Sequence, residues 1–93
     1  MVNKNILKLR IKLDKLDNQF LRLLKKRTHI IDKVILNKRY KKEIVDKKRI
    51  KIILKNIKIK SNKMKIDPRI TVKIWKSMIN SYISYEYRNF KKK

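Results

Sequence analysis

The chain has no glycine, no cysteine and no alanine, and its only proline is Pro68. Without cysteine there is neither a disulfide framework nor a thiolate metal site, which fits a reducing cytoplasm. Without glycine there is no phosphate-cradling loop of the P-loop or dinucleotide-binding type. Histidine is almost missing as well. His29 stands alone, with no companions to hold a metal and no orienting partner to make it a base for a serine nucleophile. No apolar run approaches the roughly 18 residues needed to cross a bilayer. Met1 to Leu13 interleaves Lys and Arg with apolar residues and so lacks the core of a signal peptide. The expectation is a cytoplasmic protein without metal or cofactor, built as one helical domain over residues 1–93, with residues 91–93 as a frayed tail.

What the chain does have is positive charge. Thirty Lys and Arg stand against seven Asp and Glu, a formal net charge of +23 over 93 residues. Twenty-three of the thirty are Lys, and Ile, Lys and Asn together make up about half of the chain. These residues have A/T-rich codons, whereas the missing Gly and Ala have G/C-rich ones. A biased genome therefore accounts for much of the charge without a polyanionic partner. No helix-turn-helix or RNA-binding motif is present, so a nucleic-acid binder ranks last among the readings. The charge still attracts small anions.

Between Asn5 and about Arg39 nothing breaks a helix. Leu9, Leu13, Leu16, Phe20, Leu23, Ile30 and Val34 recur at steps of four and three, with one step of seven. A helix of that length is roughly 50 Å long. A compact monomer of this size has a radius of gyration of about 12 Å. The helix thus outruns what its own chain can cover, and a partner helix from a second copy is expected. Continuing the alternation through the gap lands on Arg27, and beyond Val34 it lands on Lys38. At about 100° per residue these two cations lie about 20° apart on the apolar face. Arg10 lies about 100° away from Arg27.

After a polar connection at Arg39 to Glu43, a second helix is expected from Val45 or Asp46 to about Lys60. Ile50, Ile53, Leu54 and Ile57 form its apolar face, and Asp46 and Arg49 are close enough to pair. Ser61 to Ile66 reads as a loop. Asp67-Pro68 then starts a third helix, with Asp as N-cap and Pro in the first turn, running to about Phe90. Trp75, Met78, Ile79 and Tyr82 line one face of it, and Glu86 continues that face. Tyr82, Tyr85, Tyr87 and Phe90 crowd its end and read as packing residues.

Each helix therefore sets an ionisable residue on or beside an apolar face. A charge in such a place is costly unless it is paired or meets a ligand. Singly, each has an ordinary explanation, such as an Arg whose head snorkels to solvent. Together they point to a small anionic ligand bound by an all-α dimer.

The order and spacing resemble a known family. Leu9-Arg10-Ile11-Lys12-Leu13-Asp14-Lys15-Leu16-Asp17, Leu23-Leu24-Lys25-Lys26-Arg27, Val34 and Lys38 resemble the first helix of the all-helical chorismate mutases. Val45-Asp46-Lys47-Lys48-Arg49 is similar to their second-helix motif, and Asp67-Pro68, Trp75 and the face leading to Glu86 to their third helix. The resemblance implies one long and two shorter helices per chain, intertwined in a homodimer with two active sites. It implies cofactor-free rearrangement of chorismate to prephenate, the step toward phenylalanine and tyrosine. Chorismate carries two carboxylates and an enol ether, so catalysis needs cations that hold the carboxylates and a donor at the ether oxygen. By resemblance, Arg27 grips one carboxylate, Arg10 reaches in from the partner subunit, Lys38 donates to the ether oxygen, Arg49 supports the other carboxylate, and Asp46 contributes mainly through its backbone.

Three positions depart from the family pattern. Ile50 stands where a Glu usually bonds the substrate hydroxyl. Tyr82 replaces a Ser near a carboxylate. Glu86 replaces the Gln that bacterial members use as a second donor to the ether oxygen, and a Glu can donate only when protonated. The loss at Ile50 suggests weak catalysis, or a mutase-fold module that needs a partner enzyme of the aromatic pathway.

Overall fold

The structure, a computed structural model, describes residues 3–91. Lys92 and Lys93 of the expected tail lie outside them. The fold is all-α, with no strand among the described residues: α1 spans Lys4–Asn37, α2 Lys47–Lys63 and α3 Pro68–Asn89, and a short 3₁₀ turn at Lys41–Glu43 follows α1. The chain falls into two compact units, Met1–Asp32 and Lys33–Lys93.

The first unit is the larger part of α1. Asn3 begins the helix: its Oδ1 accepts the Asn5 N–H at 2.8 Å, and its carbonyl accepts from Leu7 at 3.1 Å. Asn is among the best residues for this place, because the first amides of a helix have no partner within it. The apolar series expected from the sequence is helical throughout but lies at the surface. Leu9, Leu13, Leu16, Phe20, Leu23 and Ile30 are all 48–63% exposed. Arg27, by contrast, is half-buried, and its Nε is shielded from solvent.

The second unit contains the end of α1, the 3₁₀ turn, α2 and α3, with α2 packed on α3. Its two most buried apolar residues, Ile35 at the end of α1 and Ile44 just past the turn, flank the connection between helices. Ile50, Ile53, Leu54 and Ile57 of α2 and Trp75, Met78, Ile79 and Tyr82 of α3 are half-buried, as their helical spacing predicts. Asp67 accepts the Arg69 N–H at 2.9 Å, and Pro68 occupies the first turn of α3, where its missing N–H costs nothing.

Two boundaries differ from the expectation. α1 ends at Asn37 rather than near Arg39, so Lys38 leaves the helix instead of continuing its face. Ser61, Asn62 and Lys63 continue α2 rather than forming a loop. Ser61 is buried. Its hydroxyl lies 2.6 Å from the Ile57 carbonyl and 2.6 Å from the Thr71 hydroxyl of α3. Its one proton goes to the carbonyl, so Thr71 donates to Ser61. This tertiary bond holds the last turn of α2 helical against a local composition that favours a loop. The helix then closes with Ile66 N–H on the Ser61 carbonyl at 2.9 Å and Lys65 N–H on the Asn62 carbonyl at 3.2 Å. Such a closure requires a left-handed residue, usually Gly. In a chain without Gly that residue is Lys65, at φ 59°.

Candidate active site

Glu86, in the last turns of α3, is a buried carboxylate. It accepts a hydrogen bond from the Lys38 ammonium at 2.9 Å. The side chains retain 8% and 21% of their exposure. Lys38 lies one residue beyond α1, where its N–H bonds the Ile35 carbonyl at 3.1 Å and tightens the final turn. Partner charges largely withdrawn from water interact far more strongly than surface pairs. An ammonium has three N–H bonds, so Lys38 keeps two beyond the one given to Glu86.

The α2 candidates Asp46, Arg49 and Ile50 cluster at the helix start. Asp46 is the N-cap, and its Oδ1 accepts the Arg49 backbone N–H at 3.0 Å. The expected Asp46–Arg49 pairing thus takes the form of a cap. Arg49 is exposed and Ile50 half-buried. An open cleft of about 480 Å³ beside this turn is lined by Lys42, Glu43, Val45, Asp46, Lys47 and Lys48, without Lys38 or Glu86. Tyr82 is half-buried one turn before Glu86. Its ring meets Tyr85 edge-on, with centroids 6.2 Å apart and an interplanar angle of 82°. Arg10 and Arg27 belong to the Met1–Asp32 unit, Arg10 exposed and Arg27 half-buried. His29 is exposed. Among the described residues no group of three or more His, Cys, Asp or Glu could hold a metal ion, and no helix is long and apolar enough to cross a membrane.

Glu43 is a residue that the sequence did not single out. Its Oε2 accepts the backbone N–H of Arg39 at 2.8 Å and that of Tyr40 at 3.4 Å. The available signal was an acceptor three and four residues after two amides that leave a helix end.

Three α-helices, with no strand among the described residues, and a Lys38–Glu86 pair largely withdrawn from water where the chain leaves α1 make this an all-helical protein with an ion pair away from solvent. A model of the chorismate mutase type II family matches residues 9–87. The chain belongs to that family and is an isomerase that converts chorismate to prephenate. No curated protein and no solved structure matches it.

Proposed function

We propose that chorismate rearranges beside the Lys38–Glu86 pair, with Lys38 as donor to the ether oxygen. The observation that carries this reading is the 2.9 Å contact between the two residues, largely withdrawn from solvent at a helix junction. Negative charge grows on the ether oxygen as its bond to the ring breaks. A fixed ammonium there favours the transition state over the ground state. Arg27 grips one carboxylate; its half-burial and shielded Nε suit an ion-binding guanidinium better than a surface one. Arg49 supports the second carboxylate. Asp46 orders the first turn of α2, offering the substrate backbone rather than a carboxylate already used as a cap. Tyr82 takes the place of the family's Ser. Glu86 becomes a second donor when protonated.

The working unit in this proposal is a homodimer in which Arg10 serves the partner subunit's site. Its support is the exposed apolar series of α1. Full burial of a Leu, Ile or Phe is worth about 1.5–3 kcal/mol. Six such residues supply on the order of 10 kcal/mol toward an association that itself costs several. A second copy of α1 offers the matching face. A cytoplasmic location goes with this reading.

Ile50 favours a second reading, in which the isolated protein is a weak mutase that a partner enzyme of the aromatic pathway completes. A half-buried isoleucine offers no acceptor for the substrate hydroxyl. One experiment addresses both. Chorismate disappearance is followed with wild type, Arg27→Ala and Lys38→Ala, with the oligomeric state measured by sedimentation. A dimer whose rate falls about 100-fold or more in each variant is expected, by analogy with loss of one donor to a developing oxyanion. Variants as fast as wild type sink the residue assignments, and a slow wild type accelerated by Ile50→Glu favours the second reading.

A further inference from the structure

We infer that Glu43 is a positioning residue for the reaction, acting through Lys38; this rests on the proposed role of Lys38 as donor to the ether oxygen. Lys38 lies outside regular helix, in the short stretch between Asn37 and the 3₁₀ turn at Lys41–Glu43. Its backbone is therefore not held by an α-helical ladder on both sides, and the chain leaving it has to be fixed by other means. Glu43 fixes it twice. Its own N–H closes the turn on the Tyr40 carbonyl at 3.0 Å. Its carboxylate reaches back to the amides of Arg39 at 2.8 Å and Tyr40 at 3.4 Å. Hydrogen bonds to an ionised acceptor are stronger than neutral ones, and the Arg39 amide belongs to the residue directly after Lys38.

The turn is anchored on both sides. Ile35 precedes it and Ile44 comes after it, each at most 6% exposed. Ile44 N–H closes on the Lys41 carbonyl at 3.0 Å. Lys38 is thus held at two ends, its ammonium by Glu86 and its backbone exit by Glu43. A Lys side chain has four rotatable bonds and loses much rotamer freedom when ordered. A shift of about 1 Å at its Cα has to be absorbed along that side chain, against the hold of Glu86 on the Nζ, and misplacement on that scale is enough to cost up to 100-fold in rate. Glu43 is exposed and has no contact with the Lys38 ammonium, so its effect runs through the backbone alone.

The acceptor role does not need a charge. Glu43→Gln keeps an oxygen that both amides can reach, whereas Glu43→Ala removes it. The test measures kcat and KM of the full-length protein as wild type, Glu43→Ala, Glu43→Gln, Lys38→Gln and Lys38→Gln/Glu43→Ala, at a temperature where all are folded by circular dichroism. Glu43→Ala is expected to lower kcat by roughly 10-fold with little change in KM. Glu43→Gln restores most of the rate, and Glu43→Ala costs nothing further once Lys38 is Gln. The proposal is overturned if Glu43→Ala keeps the wild-type kcat. It is also overturned if the alanine costs the same factor in both backgrounds, since the residue then acts independently of Lys38. If Lys38→Gln itself retains the wild-type rate, the assignment of Lys38 fails and takes this inference with it. Collapse of Lys38→Gln with an unaffected Glu43→Ala removes this inference alone.

Discussion

Lys38 and Glu86 are 48 residues apart in the chain and 2.9 Å apart in the fold. One leaves the first helix and the other ends the third. The contact ties the two ends of the 33–93 unit together and fixes the protonation question at its centre. An ionised Glu86 accepts from Lys38 and cannot donate.

A second donor at the ether oxygen therefore exists only in molecules where Glu86 carries a proton. We expect Glu86→Gln, whose amide can donate to the ether oxygen without first taking up a proton, to keep or raise kcat/KM at neutrality. A Glu86→Gln variant much slower than wild type leaves Glu86 only the role of holding Lys38.

Arg10 and Arg27 allow a test of the dimer that needs no structure. In the proposed arrangement each site takes Arg27 from one subunit and Arg10 from the other. Neither Arg10→Ala nor Arg27→Ala alone has an intact site. Unfolding and refolding an equal mixture gives half heterodimers, each with one intact site of two, so about a quarter of wild-type activity should return. No recovery, with heterodimers verified by mass spectrometry, means that both arginines serve the same subunit's site.

Lys65 offers a stability prediction independent of function. A side chain at φ 59° crowds its own backbone, and glycine is free of that cost. Some of the gain is offset because glycine makes the unfolded chain more flexible. Lys65→Gly should raise stability to chemical denaturation by about 0.5–1 kcal/mol, with kcat unchanged. Destabilisation would mean that the Lys65 side chain makes a contribution that the helix closure does not explain.

The sequence carried the parts of this fold that depend on neighbours along the chain. Asp67-Pro68 marks the start of α3 because cap and first turn are local chemistry. The 3.6-residue spacing of Ile50, Ile53, Leu54 and Ile57 finds the buried face of α2 for the same reason. The contacts between residues far apart along the chain were not legible from the residues alone. Ser61-Asn62-Lys63 reads as a loop until Thr71 bonds Ser61. Helical angles put Lys38 and Glu86 each on an apolar face, but only the family resemblance set them at one atom of a substrate. Glu43 offers only a spacing signal, an acceptor three and four residues after two amides, because backbone donors leave no mark in composition. The α1 series was legible as apolar and helical, yet its residues are exposed in the single chain, so its burial is a question for the dimer.

Asp67 gives a prediction whose pH window is set by its own environment. The Arg69 guanidinium bonds the carboxylate through Nε at 3.1 Å and through Nη2 at 3.0 Å, and the Arg69 backbone N–H adds a third contact at 2.9 Å. The side-chain bonds first, then the backbone bond, hold the carboxyl below its ordinary value of 3.8. A carboxyl lowered on folding stabilises the fold above its unfolded pKa, and that contribution is lost as pH falls through the folded value. Asp67→Ala should therefore lower the thermal midpoint at pH 6, with a gap to wild type that narrows below about pH 3.8. The Arg69 side chain is 88% exposed, so the ion pair itself is weak and screened by salt, and the cap is the durable part. Asp67→Asn separates the two, because its amide oxygen still caps α3 but carries no charge. It should stay close to wild type at pH 6 in high salt and show no narrowing in acid. A wild-type advantage over Asp67→Ala that persists undiminished at about pH 2.5 would show that the ionised carboxylate is not what stabilises the start of α3.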